Sequence, residues 1–509
     1  MSHETALPMP PSPTAKVSAG EGVCPLCRHC AFAPGATGGE GCTCEHLARD
    51  LRLAPALAAG AGVVARPARL DALLSHRFGG LAVFLAVMVV VFSLVQKVAA
   101  PYLDWIDAII AGPVAHGLAA GLAAVQAPAW LTSLVIDGIV AGVGGVLVFA
   151  PGLFIMHLAL GFLEDCGYLP RAALVMDGWL QGFGLRGRSF VPMIIGFGCN
   201  VPAIYAARRI EDRPTRIITS LMIPFMSCSA RLPVYVIFGL AFFPHHAGWV
   251  IWGLYVLGVL IAAIIGIVLS RLLFRRQPAL TAAALPPYRL PSPRRLLLHA
   301  GRQSAQFIKN AATIILLVSV LLWAGLHLPW RPGEDHRHSY YGRVSAALAP
   351  TLAPAGFGQW QATGALLTGL VAKEMVISSL AQLYGAQQTE ATAPPDLASE
   401  VGAALSGLGG ATLAAGKQLL EVLTPGLQLF PTAAPAQNIA LSRSLVGAFS
   451  PAAALAFLVF VLTYVPCAAT IGALRHELGW RWTALAVGIQ TVLPWLLAVM
   501  VFQVASRLL

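Results

Sequence analysis

Stretches of about twenty apolar residues recur along the chain, and a run of that length and composition is stable chiefly as a helix inside bilayer hydrocarbon. Such runs lie at 81–100, 132–163, 217–243, 247–270, 304–328, 361–384 and 482–506. Two more, 190–207 and 445–473, are long enough but broken by Pro, Gly and Cys, and a weaker run lies between 401 and 430. Only 11% of the 509 residues are charged, against about 25% in soluble domains. A chain so poor in charge cannot clothe a globular surface for water. The expected fold class is therefore all-α, a polytopic transmembrane helical bundle with broken and re-entrant helices. The 50 Gly and 36 Pro fit it, because neighbouring helices in a membrane repair the backbone bonds that these residues disrupt. The net charge of +11 is explained by Lys and Arg in the short loops. No aromatic-basic platform accompanies them, so no nucleic-acid partner is expected.

The distribution of Lys and Arg sets a topology. Arg66, Arg69 and Arg77 precede the first run, which puts the N-terminus in the cytoplasm, and the loop 101–131 carries no Lys or Arg. Arg171, Arg186 and Arg188 bring the chain back inside. If 190–207 crossed the membrane, Arg208, Arg209, Arg213 and Arg216 would all lie outside. The segment is therefore expected to enter and leave on one side. Backbone left unpaired at membrane depth is tolerated only against protein or a water-filled cavity, so this segment should line a path. The segment 271–302, with seven Arg, is again expected inside. Residues 1–75 read as a cytoplasmic extension without a cleavable leader, and 76–509 as the membrane domain.

Three cysteines sit at helix-breaking positions. Cys199 follows Gly196-Phe197-Gly198 and precedes Asn200-Val201-Pro202; Cys228 lies between Ser227 and Ser229 after Pro224; Cys467 follows Pro466. Packing alone does not require this pattern, although a lone membrane cysteine is usually a small core residue. Thiolates suit soft or borderline cations, and scattered thiols and freed carbonyls give the weak, serial binding that conduction needs. Glu164, Asp165 and Glu374 add ionisable groups in or near spans, which are functional candidates by default. The plainer alternative is that Glu164 and Asp165 mark a span's cytoplasmic end and that Lys373 and Glu374 neutralise each other. The halves are weakly alike: Gly161 to Asp165 is echoed by Gly369 to Glu374, and the Cys199 break by the Cys467 break.

A second cysteine group, Cys24, Cys27, Cys30, Cys42 and Cys44, lies within 24–46 with His29 and His46 nearby. It has enough ligands for zinc or an iron–sulfur cluster, and redox sensing without metal or no role are the alternatives. A reducing cytoplasm disfavours disulfides there. The stretch Gly182 to Ser189 imitates a phosphate-binding loop with Arg in place of Lys, but such a loop must follow a buried strand and open a helix, and this one sits in a short loop between membrane segments, so no nucleotide site is expected. No nucleophile–base pair or cofactor fingerprint marks a catalytic residue.

Several of these motifs together carry a family resemblance. Residues 76–270 resemble the membrane domain of the FeoB ferrous-iron transporters. The likeness rests on Leu103-Asp104-Trp105-Ile106-Asp107, Asp137-Gly138-Ile139-Val140-Ala141-Gly142, Leu163-Glu164-Asp165-Cys166-Gly167-Tyr168 and Ser189-Phe190-Val191-Pro192. It continues through Gly198-Cys199-Asn200-Val201-Pro202, Met226-Ser227-Cys228-Ser229-Ala230-Arg231-Leu232-Pro233, Val371-Ala372-Lys373-Glu374 and Val465-Pro466-Cys467-Ala468-Ala469-Thr470. The resemblance implies two gate-type repeats, about 132–270 and 304–506, around a pore in the bacterial cytoplasmic membrane. It also implies an Fe(II) path past Cys199, Cys228 and Cys467. Such transporters usually begin with a GTP-binding domain, and here the cysteine group stands in that position. A G protein or a small iron-uptake accessory protein acting in trans is then an expected partner, and homo-oligomerisation is open. Another divalent metal, or a membrane-embedded metal or redox sensor, is the competing reading.

Overall fold

The computed structural model describes residues 79–181, 187–273, 289–329, 336–384, 397–423 and 436–508. They fall within one compact unit, Arg66–Leu509. The N-terminal cysteine group lies outside the described residues. Every regular element among the described residues is helical.

The first span is α1 (Gly79–Ile109) and α2 (Ala115–Ala124), joined by a wide π-type turn where Gly112 leaves helical angles before Pro113. The second runs through α3 (Ala129–Ser133), another wide turn at Leu134–Val140, α4 (Ala141–Val148) and α5 (Ala150–Asp165). After α6 (Tyr168–Gln181) come two short helices, α7 (Phe190–Gly198) and α8 (Asn200–Ala207). The third span is α9 (Arg213–Met222), an irregular stretch and α10 (Leu232–Phe242); α11 (Ala247–Leu273) is the fourth. Then follow α12 (Pro293–His327), α13 (Tyr340–Leu352), α14 (Trp360–Val371), α15 (Met375–Leu383), α16 (Leu397–Leu423) and α17 (Ala436–Ala448). The chain ends in a broken span, α18 (Pro451–Thr463) and α19 (Ala468–Leu478), and in α20 (Trp480–Leu508). Local sequence explains several starts. Asp212 caps α9 by accepting from the Thr215 amide at 3.0 Å, and Ser450 caps α18 by accepting from the Ala453 amide at 3.2 Å, each just ahead of a proline in the first turn.

Among the described residues, six helical stretches are long and apolar enough to span a membrane: Gly79–Ala124, Ala129–Asp165, Arg213–Phe242, Ala247–Leu272, Pro451–Leu478 and Trp480–Leu508. Burial sorts them. The apolar windows of the two broken spans, Arg213–Phe242 and Pro451–Leu478, are 72% and 61% buried, whereas that of Gly79–Ala124 is 11% buried. The broken spans therefore form the centre and the first span faces lipid. α12 runs antiparallel along the second span: His157 meets Ser304, Gly142 packs on Ser319, and the Trp323 indole donates to Ser133 at 2.9 Å. It crosses wherever that span crosses.

The segment 190–207 turns back, as the charge pattern required. α7 and α8 pack side by side after the break at Cys199. Their outer ends meet, since Arg188 ahead of α7 pairs with Glu211 beyond α8 at 3.3 Å. At about 1.5 Å per residue, the nine residues of α7 reach about 13 Å, half-way into a ~30 Å hydrocarbon layer. The run 361–384, expected as a full span, is a second hairpin of the same kind. α14 and α15 pack together, and Tyr384 at the end of α15 donates to the Gln359 side chain before α14 at 2.6 Å. Its apolar run has the length of a span, but Ala372 takes an extended conformation in mid-run and reverses the chain.

Candidate functional site

The tips of the two hairpins meet the breaks of the two central spans. At the first hairpin, Cys199 is extended, with φ −151° and ψ 131°, so α7 stops and α8 restarts one residue on. Ala372 at the tip of the second has nearly the same angles, φ −146° and ψ 132°. The span breaks match as well: Cys228 has φ −73° and ψ 160°, and Cys467 φ −58° and ψ 155°. The backbone thus pairs Cys199 with Ala372 and Cys228 with Cys467, rather than Cys199 with Cys467 as the sequence echo has it.

Polar side chains stitch each hairpin tip to the span break it meets. Ser229 donates to the Gly198 carbonyl at 3.0 Å, joining the first tip to the first break. Asn200, with its amide oriented to suit its neighbours, donates to the Gly196 carbonyl at 3.0 Å and the Ile223 carbonyl at 3.3 Å. Ser227 donates to the buried Tyr235 hydroxyl at 3.0 Å. Lys373 at the second tip donates to the Val465 carbonyl at 2.6 Å and stands 2.9 Å from the centre of the Tyr464 ring. The Cys467 sulfur is 3.1 Å from the Thr470 hydroxyl.

The chemistry follows from what the breaks release. A carbonyl outside the helical ladder needs a new partner, and an unmet one at membrane depth costs several kcal/mol. Two cations answer that need. Arg231, fully buried, donates to the Pro224 carbonyl at 3.1 Å and the Met226 carbonyl at 3.3 Å. Lys373, 3% exposed, answers Val465. Cys199 lies within electrostatic reach of Cys228, Cys467 and Glu374, and Lys373 within reach of Arg231, Cys228, Cys467 and Glu374. The centre therefore holds three thiols, one carboxylate and two cations. Cys228 is buried and Cys199 and Cys467 are partly so. Among the described residues no three His, Cys, Asp or Glu side chains converge into a ready metal site. The thiols stand as separate single donors.

Not every expected residue joins this centre. Glu164 and Asp165 are exposed at the end of α5, and Glu164 pairs there with Arg209. Arg208 pairs with Glu477 at the same end as the mouth of the first hairpin. Arg188 of the phosphate-loop imitation is engaged by Glu211. Sequence reading passed over Arg231 and Tyr464. Arg231 closes the motif from Met226 to Arg231 and was open to discovery as a charge three residues past an intramembrane cysteine; only packing brings Tyr464 to Lys373.

Fold and site together define a polytopic helical membrane protein with two re-entrant hairpins set against two unwound spans. The family model described as "Gate: Nucleoside recognition" matches residues 146–242 and 308–481, and that described as "Ferrous iron transport protein B C terminus" matches 251–302. The chain is 35% identical over 439 residues to a Fe(2+) transporter FeoB of Staphylococcus aureus, covering 86% of this chain and 59% of the relative. It is 36% identical over 433 residues to that of Legionella pneumophila, covering 82% and 57%. It is 33% identical over 475 residues to a Fe(2+) transport protein A/Fe(2+) transporter FeoB fusion protein of Porphyromonas gingivalis, covering 86% and 51%. The chain belongs to the FeoB family, whose membrane region it matches. It spans between half and three-fifths of the length of these relatives. No solved structure matches it.

Proposed function

We propose that this chain is the membrane conduit of a ferrous-iron transport system, with Fe(II) as cargo passing Cys199, Cys228 and Cys467. The observation that carries the reading is the meeting of two hairpin tips with two broken spans around those thiols and Glu374. Borderline Fe(II) takes thiolate and carboxylate ligands, while Mg(II) and Ca(II) prefer hard oxygen cages. Single donors spaced along a path bind weakly enough to let the ion leave. Asn200, Ser227 and Ser229 hold the breaks open and offer polar atoms beside the thiols. The relatives' printed names, Fe(2+) transporter FeoB, support the cargo.

The role is transport rather than catalysis, in the cytoplasmic membrane of a bacterium. The mouth of the first hairpin, with Arg208, Arg209, Arg213 and Arg216, faces the cytoplasm on the charge rule. A G protein acting in trans is the partner that would supply nucleotide control. The fusion partner in the Porphyromonas gingivalis relative's name supports a small accessory protein as a second partner. Cys24, Cys27, Cys30, Cys42 and Cys44 form a zinc, iron–sulfur or redox element that regulates the conduit. Uptake of radioactive Fe(II) into proteoliposomes tests the reading, run with and without GTP and against excess Mn(II), Zn(II) and Mg(II). Iron uptake competed by Mn(II) or Zn(II) but not Mg(II) is expected. No uptake under any condition rejects transport, and uptake of another ion in preference to iron reassigns the cargo.

A further inference from the structure

We propose that Lys373 is a tethered cation that occupies the metal path, holding the Val465 carbonyl until an entering divalent ion displaces it. The inference rests on the transport reading above and adds a named gate to it. Pro466 and the extended break beside it leave the Val465 carbonyl outside the helical ladder, next to Cys467. A carbonyl one or two residues from a thiol is a natural station for a cation. Here a cation already stands at it: the Lys373 ammonium, 2.6 Å from the oxygen and 2.9 Å from the centre of the Tyr464 ring, with only 3% of the residue exposed. Its hydrogen-bond partner is that carbonyl, and the adjacent Glu374 carboxylate lies within electrostatic reach of the ammonium.

The two buried cations differ in how they are held. Arg231 belongs to the span whose carbonyls it satisfies and is forked across two of them, Pro224 and Met226. It is a fixed part of its break. Lys373 reaches from the hairpin tip to another segment through a flexible four-carbon stem and meets one carbonyl. The hairpin itself is tied at its mouth by Tyr384 and Gln359 and along its length by Thr368 and Ser379, 2.7 Å apart. The ammonium can therefore leave Val465 by stem rotation without dismantling the hairpin. A divalent ion at Cys467 and an ammonium at Val465 would repel strongly at this depth, where water does not screen them. The two occupancies exclude each other. Lys373 thus keeps the path filled with a charge that cannot permeate, and sets the threshold above which iron enters.

The test uses the full-length chain in proteoliposomes with Fe(II) as the probe, comparing Lys373→Met, which keeps the stem and removes the charge, with Lys373→Gln and Lys373→Arg. Both neutral variants should lower the half-saturating Fe(II) by roughly tenfold, while Lys373→Arg keeps it at or above the wild-type value. A second readout needs no iron flux. With the other cysteines replaced by Ser, Cys467 should react with a small cationic methanethiosulfonate at least several-fold faster in Lys373→Met than with lysine in place. Unchanged half-saturation and unchanged labelling in both neutral variants overturn the proposal. So does a loss of flux with reduced thermal stability and unchanged labelling, which would make Lys373 a stitch between hairpin and span. If wild type carries no iron, the transport reading fails, and faster Cys467 labelling in Lys373→Met would still show the tether.

Discussion

The Cys467 sulfur lies 3.1 Å from the Thr470 hydroxyl, and Cys228 is buried between Ser227 and Ser229. A serine at either place fills nearly the same volume but offers a harder donor. Cys199→Ser, Cys228→Ser and Cys467→Ser are each expected to cut Fe(II) flux by roughly tenfold or more while the protein stays inserted. Normal flux in all three and in the triple variant would remove the thiols from the path. Ser229→Ala is a milder case. It loses the bond to the Gly198 carbonyl and leaves that carbonyl without its hydroxyl partner, a cost of about 1 kcal/mol. A small fall in the unfolding temperature is the expected measurement, and a fall as large as that of a core truncation would mean the tip depends on this one bond.

At the scale of elements, the hairpins make opposite topological statements. The first opens at the end carrying Arg188 and Glu211. Between it and the second lie three crossings: α9 with α10, α11, and α12 running along the second span. An odd number of crossings puts the second mouth, at Gln359 and Tyr384, on the other side. With native cysteines replaced, Glu211→Cys should label only from the cytoplasm, whereas Ala353→Cys and Gln382→Cys should label only from outside. Labelling of Glu211→Cys from outside, or of all three from one side, would refute the two-mouth arrangement. Gly258 shows how closely the central elements approach. A Cβ there would meet the Phe225 carbonyl at 2.8 Å, and backbone cannot step aside cheaply. Gly258→Leu should therefore prevent stable packing of α11 on the first break, seen as loss of folded protein in detergent.

For the whole molecule, buried broken spans inside more exposed ones put the polar chemistry where hydrocarbon cannot reach it. The sole imitation of a phosphate loop, Gly182 to Ser189, carries Arg188, which is engaged by Glu211. The purified chain is accordingly expected to hydrolyse neither GTP nor ATP above background. Turnover abolished by Arg188→Ala would contradict this. If control by nucleotide exists, it should appear only when a G protein is added to the proteoliposomes.

The membrane class and the unwound centre were legible in the residues themselves. Hydrocarbon admits only segments that satisfy their own backbone, so apolar length fixes spans, and Gly198-Cys199 and Pro466-Cys467 announce breaks wherever they fall. The arginines from Arg208 to Arg216 fixed the turn-back of 190–207, because moving four guanidinium groups outward is costly. The second hairpin was hidden. Residues 361–384 have a span's length and lack a proline, and the reversal at Ala372 is a matter of backbone angles, held by Tyr384 and Gln359 at the hairpin's own mouth and by the reach of Lys373 to Val465 in another span. The same holds for the acids. Glu164, Asp165 and Glu374 look alike in sequence, yet Glu164 meets Arg209 at an exposed end while Glu374 joins the thiols. Composition and local pattern settle what each segment can tolerate, and Arg231 answers carbonyls of its own span; that the Val465 carbonyl meets Lys373 is decided only when segments 92 residues apart are packed together.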